Sequence, residues 1–148
     1  MLIIKSLFSS IKQYFLQRKI QKALGSSIAE RQSIQWMIAD SAMEIHAARF
    51  VVHNSLSEID TYFRMVANGE RVPRTFREKV SRNSAMAKAY VSEIASRVID
   101  RSLQAHGEIG LTEGYGIEKG YRDSFIAEIY EGTIEIQRIV IARDLLGL

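Results

Sequence analysis

Residues 33–67 read SIQWMIADSAMEIHAARFVVHNSLSEIDTYFRMVA, and this stretch decides the fold class. Ile34, Ile38, Ala42, Ile45, Ala48, Val52, Leu56, Ile59, Phe63 and Val66 recur every three or four positions, the spacing of one helix face. The helix is predicted to open near Ser27 and to end near Ala67. Asn68-Gly69 is a stop signal, and Val72-Pro73 forbids continuation because the residue before proline is driven from the α region.

Thr75 with Glu78 three places on has the spacing of a capping box, so a second long helix is expected to start there. Its stripe is Val80, Ser84, Ala87, Val91, Ile94 and Val98, and it runs to about Ala105. Gly107, Gly110, Gly114, Gly116 and Gly120 then punctuate a loop. A short helix from about Lys119 to Ile129, a break at Gly132, and a last helix from about Ile134 to Leu146 complete the pattern. Upstream, Ile4, Leu7, Phe8, Ile11, Phe15 and Ile20 recur at helical spacing among Lys5, Lys12, Arg18 and Lys19, giving an N-terminal amphipathic helix. The expected architecture is all-α, an up-down bundle in one domain over residues 1–148. Helices of roughly 40–60 Å at 1.5 Å per residue, striped along their length, call for partners, so a homodimer or homotetramer is expected.

Composition agrees. One proline and nine glycines in 148 residues leave little room for the turns of a β-sandwich or barrel. A net charge of +3 suits an anionic ligand and equally an ordinary surface. The absence of cysteine removes disulfides, thiol catalysis and thiolate metal sites. No apolar run reaches the roughly 18–20 residues of a membrane span. The N-terminal segment lacks the order of a secretory signal, and a cytoplasmic location is expected. Basic and acidic residues are interspersed without an aromatic-basic cluster, so nucleic acid is not an expected partner. His46 and His53 share a helix face but lack a third ligand, so no metal site is expected. His106 borders the glycine loop, within reach of a phosphate there.

Nothing in ordinary helix making asks for Tyr130-Glu131-Gly132-Thr133. Glycine costs roughly 1 kcal/mol inside a helix relative to alanine, so Gly132 marks a boundary. From spacing alone, Glu131 beside it is either a solvated turn residue or a placed base.

Residues 84–148, "SAMAKAYVSEIASRVIDRSLQAHGEIGLTEGYGIEKGYRDSFIAEIYEGTIEIQRIVIARDLLGL", carry a resemblance. The chain resembles the C-terminal helical domain of the acyl-CoA dehydrogenases, flavoenzymes that desaturate acyl-CoA thioesters, over about residues 18–148; residues 1–17 diverge. The motifs are Gln104-x-x-Gly107-x-x-Gly110, Tyr121-Arg122-Asp123, Tyr130-Glu131-Gly132-Thr133, and Gln137-Arg138 followed by Ile141-Ala142-Arg143. The resemblance implies the four-helix bundle of that domain, FAD as cofactor, acyl-CoA as substrate, and a place in fatty acid metabolism. It implies Glu131 as the base removing the thioester α-proton, with Gly132 letting the backbone approach the substrate. It also implies FAD contacts from Arg31, Gln32, Thr133 and Glu135. Gln104 and Gly107 would receive the adenine-pyrophosphate end of FAD from a neighbouring subunit.

The chain departs from the family pattern at defined places. Arg-x-x-Phe-Gly is replaced by Gln21-Lys22-Ala23-Leu24-Gly25, which removes a phosphate-pairing guanidinium that glutamine does not replace. Glu108 stands where a second glycine is usual, placing negative charge toward pyrophosphate, and Gly116 stands where proline is common. The family's N-terminal helical and middle β-domains have no counterpart in this sequence. The expectation is therefore an oxidoreductase domain, incomplete or partner-dependent, that does not turn over alone. It is either the remainder of a split or degraded gene or a fragment working with a separate chain that supplies those domains. The alternative is a non-catalytic helical module for oligomerisation or binding.

Overall fold

The computed structural model describes residues 22–23 and 26–148. The N-terminal amphipathic helix, and Gln21, Leu24 and Gly25, lie outside the described residues. A two-residue antiparallel pair, β1 (Lys22–Ala23) and β2 (Ser26–Ser27), leads into a 3-10 turn at Ile28–Glu30. Four helices follow: α1 (Gln32–Ala67), α2 (Arg74–His106), α3 (Ile117–Ile129) and α4 (Ile134–Leu146). A second 3-10 turn, Gly107–Leu111, joins α2 to the loop before α3. The all-α class holds.

The helix ends follow from local chemistry, with one departure. Asn68 and Gly69 close α1, Gly69 at φ +71°, while the Glu70 amide reaches back to the Met65 carbonyl at 2.9 Å. The helix opens at Gln32 rather than Ser27, because Ser27 instead caps the 3-10 turn, accepting from the Ala29 amide at 3.3 Å. The capping box at Thr75 does not form. Pro73 takes the cap position with no side-chain bond, and Glu78 accepts from Arg74 Nε at 2.7 Å. Proline needs no such partner, since its fixed φ suits a helix entry.

Helix α2 is central, and each of the others packs mainly on it. Its Val91, Ile94, Val98 and Ile99 form the core with Ala48 of α1 and Ile117 of α3, flanked by Ile45, Val52, Leu103 and Tyr121. Helices α1 and α2 run antiparallel: Glu58 accepts from Asn83 at 2.7 Å near one end, and Glu44 from Arg97 at 3.0 Å nearer the other. The third leg also runs antiparallel to α2, and it is broken in two. Gly120 lies against Ile99, Ala127 O accepts from Ser92 Oγ at 2.9 Å, and Asp144 pairs with Arg82. Thus α4 continues the direction of α3, with the break at 130–133.

Burial on α1 is narrower than its apolar stripe. Ile34, Ser41, Ala48 and Ser55, at intervals of seven, are its buried positions, whereas Ala42, Phe63 and Val66 face outward. Trp36, Met43 and Phe50 are 61, 64 and 66% exposed on the opposite face. Small residues at the α1–α2 seam, such as Ser55 and Ser84 with hydroxyls 3.3 Å apart, let the two backbones approach.

Glu44 ties the pair together. Burial pushes its carboxyl up, but hydrogen bonds from Arg101 and Arg97 outweigh burial and hold it below the ordinary carboxylate value. A carboxyl lowered by folding stabilises above its unfolded pKa, and that contribution is lost as pH falls through the folded value. Glu44→Gln is expected to cost about 1 kcal/mol at pH 7, roughly 3 °C in Tm. The cost should shrink toward zero on acidification below the carboxylate range; circular-dichroism melts at several pH values check this.

Candidate functional site

The break in the third leg places Glu131. Tyr130 leaves helix α3 in an extended conformation, and Thr133 caps α4, its hydroxyl accepting from the Ile136 amide at 3.4 Å. Between them Glu131 has φ +55° and Gly132 φ +91°. Glu131 is the one non-glycine residue with positive φ among the described residues. That conformation costs a side-chain-bearing residue roughly 1–2 kcal/mol, so surrounding contacts must hold it. Gln137, in the first turns of α4, reaches back and donates its amide to Glu131 O at 3.3 Å and Gly132 O at 3.4 Å.

Glu131 is exposed and stands at the rim of a groove of about 330 Å³. Val52, Leu56 and Ile59 of α1, Ala87 of α2, and Ala127 and Tyr130 supply most of its apolar wall. Ser55, Ser84 and Lys88 are its polar members besides Glu131 and Ser92. The Lys88 ammonium donates to Glu128 O at 3.3 Å, placing a cation at the C-terminal end of α3, where the helix dipole favours it. Burial lowers the Lys88 pKa, and the charges of Glu128 and Glu135 partly restore it. Glu135, exposed in the first turn of α4, is held below the usual carboxylate range by its own backbone N–H and by the Thr133 hydroxyl. A larger groove of about 620 Å³ lies at the opposite end of α4, but two of its arginines are already paired, Arg74 with Glu78 and Arg82 with Asp144.

The predicted site residues fall into two groups. Glu131, Gly132, Thr133 and Glu135 share the α3–α4 junction. Gln104 and Gly107 lie at the C-terminal end of α2, at the same end of the α1–α2 pair as Arg31 and Gln32, which open α1. Gln104 stands twelve residues along α2 from Ser92, the contact of Ala127, or about 18 Å at 1.5 Å per residue. Within one chain the two groups do not meet.

The junction brings the Thr133 hydroxyl and the N-terminal turn of α4 close to Glu131. The glycine loop suits a diphosphate poorly. The Gly107 N–H is directed to the carbonyls of Leu103 and Gln104, and Glu108 is exposed beside it. His106, expected within reach of a phosphate, is instead 5% exposed with Nδ1 2.6 Å from Ser102 O, so it faces the core. His46 leans its ring edge on Phe50, and no group of three metal-ligating side chains occurs among the described residues. No described helix is long and apolar enough to cross a membrane.

Lys88 was not singled out by sequence pattern, and Gln137 was noted only as part of the Gln137-Arg138 motif, without a role at the site. Lys88 carries no local signal, because its contacts come from a segment forty residues away. Gln137 does carry one: it lies six residues past a glutamate that opens a helix break, within reach of the carbonyls left unpaired there.

The family described as acyl-CoA dehydrogenase, C-terminal domain, matches residues 3–146, and the chain belongs to it. The chain is 34% identical over 128 residues to the caffeyl-CoA reductase-Etf complex subunit CarC of Acetobacterium woodii, covering 86% of this chain and 30% of that protein. It is 39% identical over 132 residues to the acryloyl-CoA reductase (NADH) of Anaerotignum propionicum, covering 89% of this chain and 29% of that protein. Among solved structures, butyryl-CoA dehydrogenase from Megasphaera elsdenii superposes with a TM-score of 0.75 at 28% identity, over 97% of this chain and 33% of that one. The chain thus spans about a third of the length of the relatives it matches.

Gly132→Ala would put a Cβ 2.6 Å from Gln137 Nε2 as well as forcing alanine to φ +91°. The flexible amide can swing away, but only by giving up its two carbonyls. A loss of about 1–3 kcal/mol, near 3–9 °C in Tm, is expected in thermal melts.

Proposed function

We propose that the chain is the C-terminal part of an acyl-CoA dehydrogenase-type oxidoreductase in which Glu131 takes the α-proton of an acyl-CoA thioester. The observation that carries this reading is the left-handed Glu131 at a helix break, presenting a carboxylate beside an apolar groove. Strain of this kind in a non-glycine residue clusters at functional sites. The α-proton is a poor acid, so its removal needs a positioned base shielded from water and donors for the charge developing on the thioester oxygen. The backbone N–H of Glu131 is such a donor. The groove takes the apolar part of the acyl group. Thr133 and Glu135 face the flavin end, with Arg31, Gln32, Gln104 and Gly107 toward the adenine end in an assembled oligomer. FAD, when bound, supplies the acceptor for the β-hydride.

Glu131 is exposed in this chain, so turnover needs a cover over the junction, from a partner chain or from the portion of the relatives that this chain does not span. One relative is a subunit of a reductase-Etf complex, which supports an electron-transferring partner. The exposed row Trp36, Met43 and Phe50 supports a homodimer or homotetramer. The second reading, a non-catalytic helical module, is favoured by the exposed Glu108 and the internally bonded Gly107 N–H.

Titration with FAD, followed by visible absorption, separates the two. Saturable binding in the micromolar range is expected for the oxidoreductase, and no binding would count toward the second reading. Glu108→Gly should tighten FAD binding about tenfold by removing a charge opposed to the pyrophosphate; unchanged affinity would place the pyrophosphate elsewhere. Light scattering at micromolar concentration should show a dimer or tetramer, and a monomer would remove the oligomeric part of the proposal.

A further inference from the structure

We propose that Gln137 is a positioning residue that holds Glu131 in its left-handed conformation by bridging the carbonyls of Glu131 and Gly132. The significance of that hold for chemistry rests on Glu131 acting as the base; the hold itself does not.

Three observations converge. Glu131 has φ +55°, which an L-residue does not keep without restraint. The Gln137 amide has two hydrogens, and the two successive carbonyls of the break lie 3.3 and 3.4 Å from its nitrogen. A Cβ on Gly132 would stand 2.6 Å from that same nitrogen, so the glycine leaves the space the amide occupies. Gly132 and Gln137 are therefore a matched pair, the one making room for the other. Placement on α4 matters too. Thr133 caps the helix, which fixes the first turns from which Gln137 reaches back. The side chain of Gln137 acts on the backbone of Glu131, and so on the direction in which both its carboxylate and its N–H are presented.

A thermal double-mutant cycle on the full chain tests the hold without flavin or substrate. Glu131→Gly alone relieves the strain but adds unfolded-state entropy, and the two offset, so Tm should stay near wild type. In Gln137→Ala the restraint is gone and Glu131 relaxes, leaving no strain for glycine to relieve. Adding Glu131→Gly there should lower Tm by about 3 °C further. Equal Tm changes in the two backgrounds would overturn the proposal, whether or not FAD binds. Failure of the wild-type chain to bind FAD would count against the oxidoreductase reading alone.

Gln137→Met keeps length and bulk while removing both donors. Amide hydrogen exchange at Tyr130 and Gln137, whose N–H groups are bonded to Ile126 O and Thr133 O on either side of the break, should quicken at least tenfold in this variant, with α1 and the first half of α2 protected as in wild type. Wild-type exchange at both amides would equally overturn the hold.

Discussion

The structure depends on how a broken helical leg is kept against α2. Had the third leg been continuous, the carbonyls of its middle residues would have been taken up in i→i+4 bonds and Glu131 would have kept helical φ. The break frees those carbonyls, and each then needs another partner. Ser92 takes the carbonyl of Ala127, Lys88 that of Glu128, and Gln137 those of Glu131 and Gly132. The donors come from the central helix and from the next helix, so the break is rigid although it is irregular.

That arrangement explains why α2 is rich in small residues. Ala85, Ala87, Ala89, Ser92, Ala95, Ser102 and Ala105 are all buried along it, and three other helices have to approach its axis. A helix surrounded in this way needs narrow side chains at each seam and bulky ones only where the seams meet, as at Ile94 and Val98. The one buried side-chain polar atom without a partner among the described residues is Ser102 Oγ, one turn before His106. The buried His106 takes the carbonyl of Ser102 instead, which stiffens the end of α2 just before the glycine turn.

Much of the fold was legible because helix ends are written locally. Asn68-Gly69, Pro73 and Gly132 each act within a few residues, and each marks an element boundary in the structure. The break beside Glu131 was legible for the same reason, lying between two apolar runs, whereas spacing left open whether Glu131 is a solvated turn residue or a placed base. What was not legible depends on packing. The apolar period of α1 does not say that only Ile34, Ser41, Ala48 and Ser55 turn inward, since that follows from a single packed neighbour among the described helices. Thr75 and Glu78 had the right spacing for a cap, but Pro73 already filled the place and Arg74 drew the glutamate away. The burial of His106 and the contact of Lys88 with α3 are tertiary facts, without trace in their own sequence neighbourhoods.

The two halves of the site differ in how far one chain completes them. At the α3–α4 junction the carbonyls of Ala127, Glu128, Glu131 and Gly132 take donors from the same chain, so the backbone around Glu131 is held before any partner arrives. On the proposed reading of Glu131 as the base, a group set in advance needs little reorganisation when substrate binds, which is where enzymes gain most. The glycine turn is the reverse case. Its one amide at the cap is engaged in closing α2, and a carboxylate stands beside it, so neither group favours an anion there. Relatives about three times longer supply the context for this asymmetry, because most of their length lies beyond the segment this chain matches. Preorganisation of the carboxylate belongs to the helices described above, whereas exclusion of water from it requires a surface that covers the junction. The exposed apolar residues nearest the break, Ile126, Ile129 and Ile136, are where such a cover would gain most from burial.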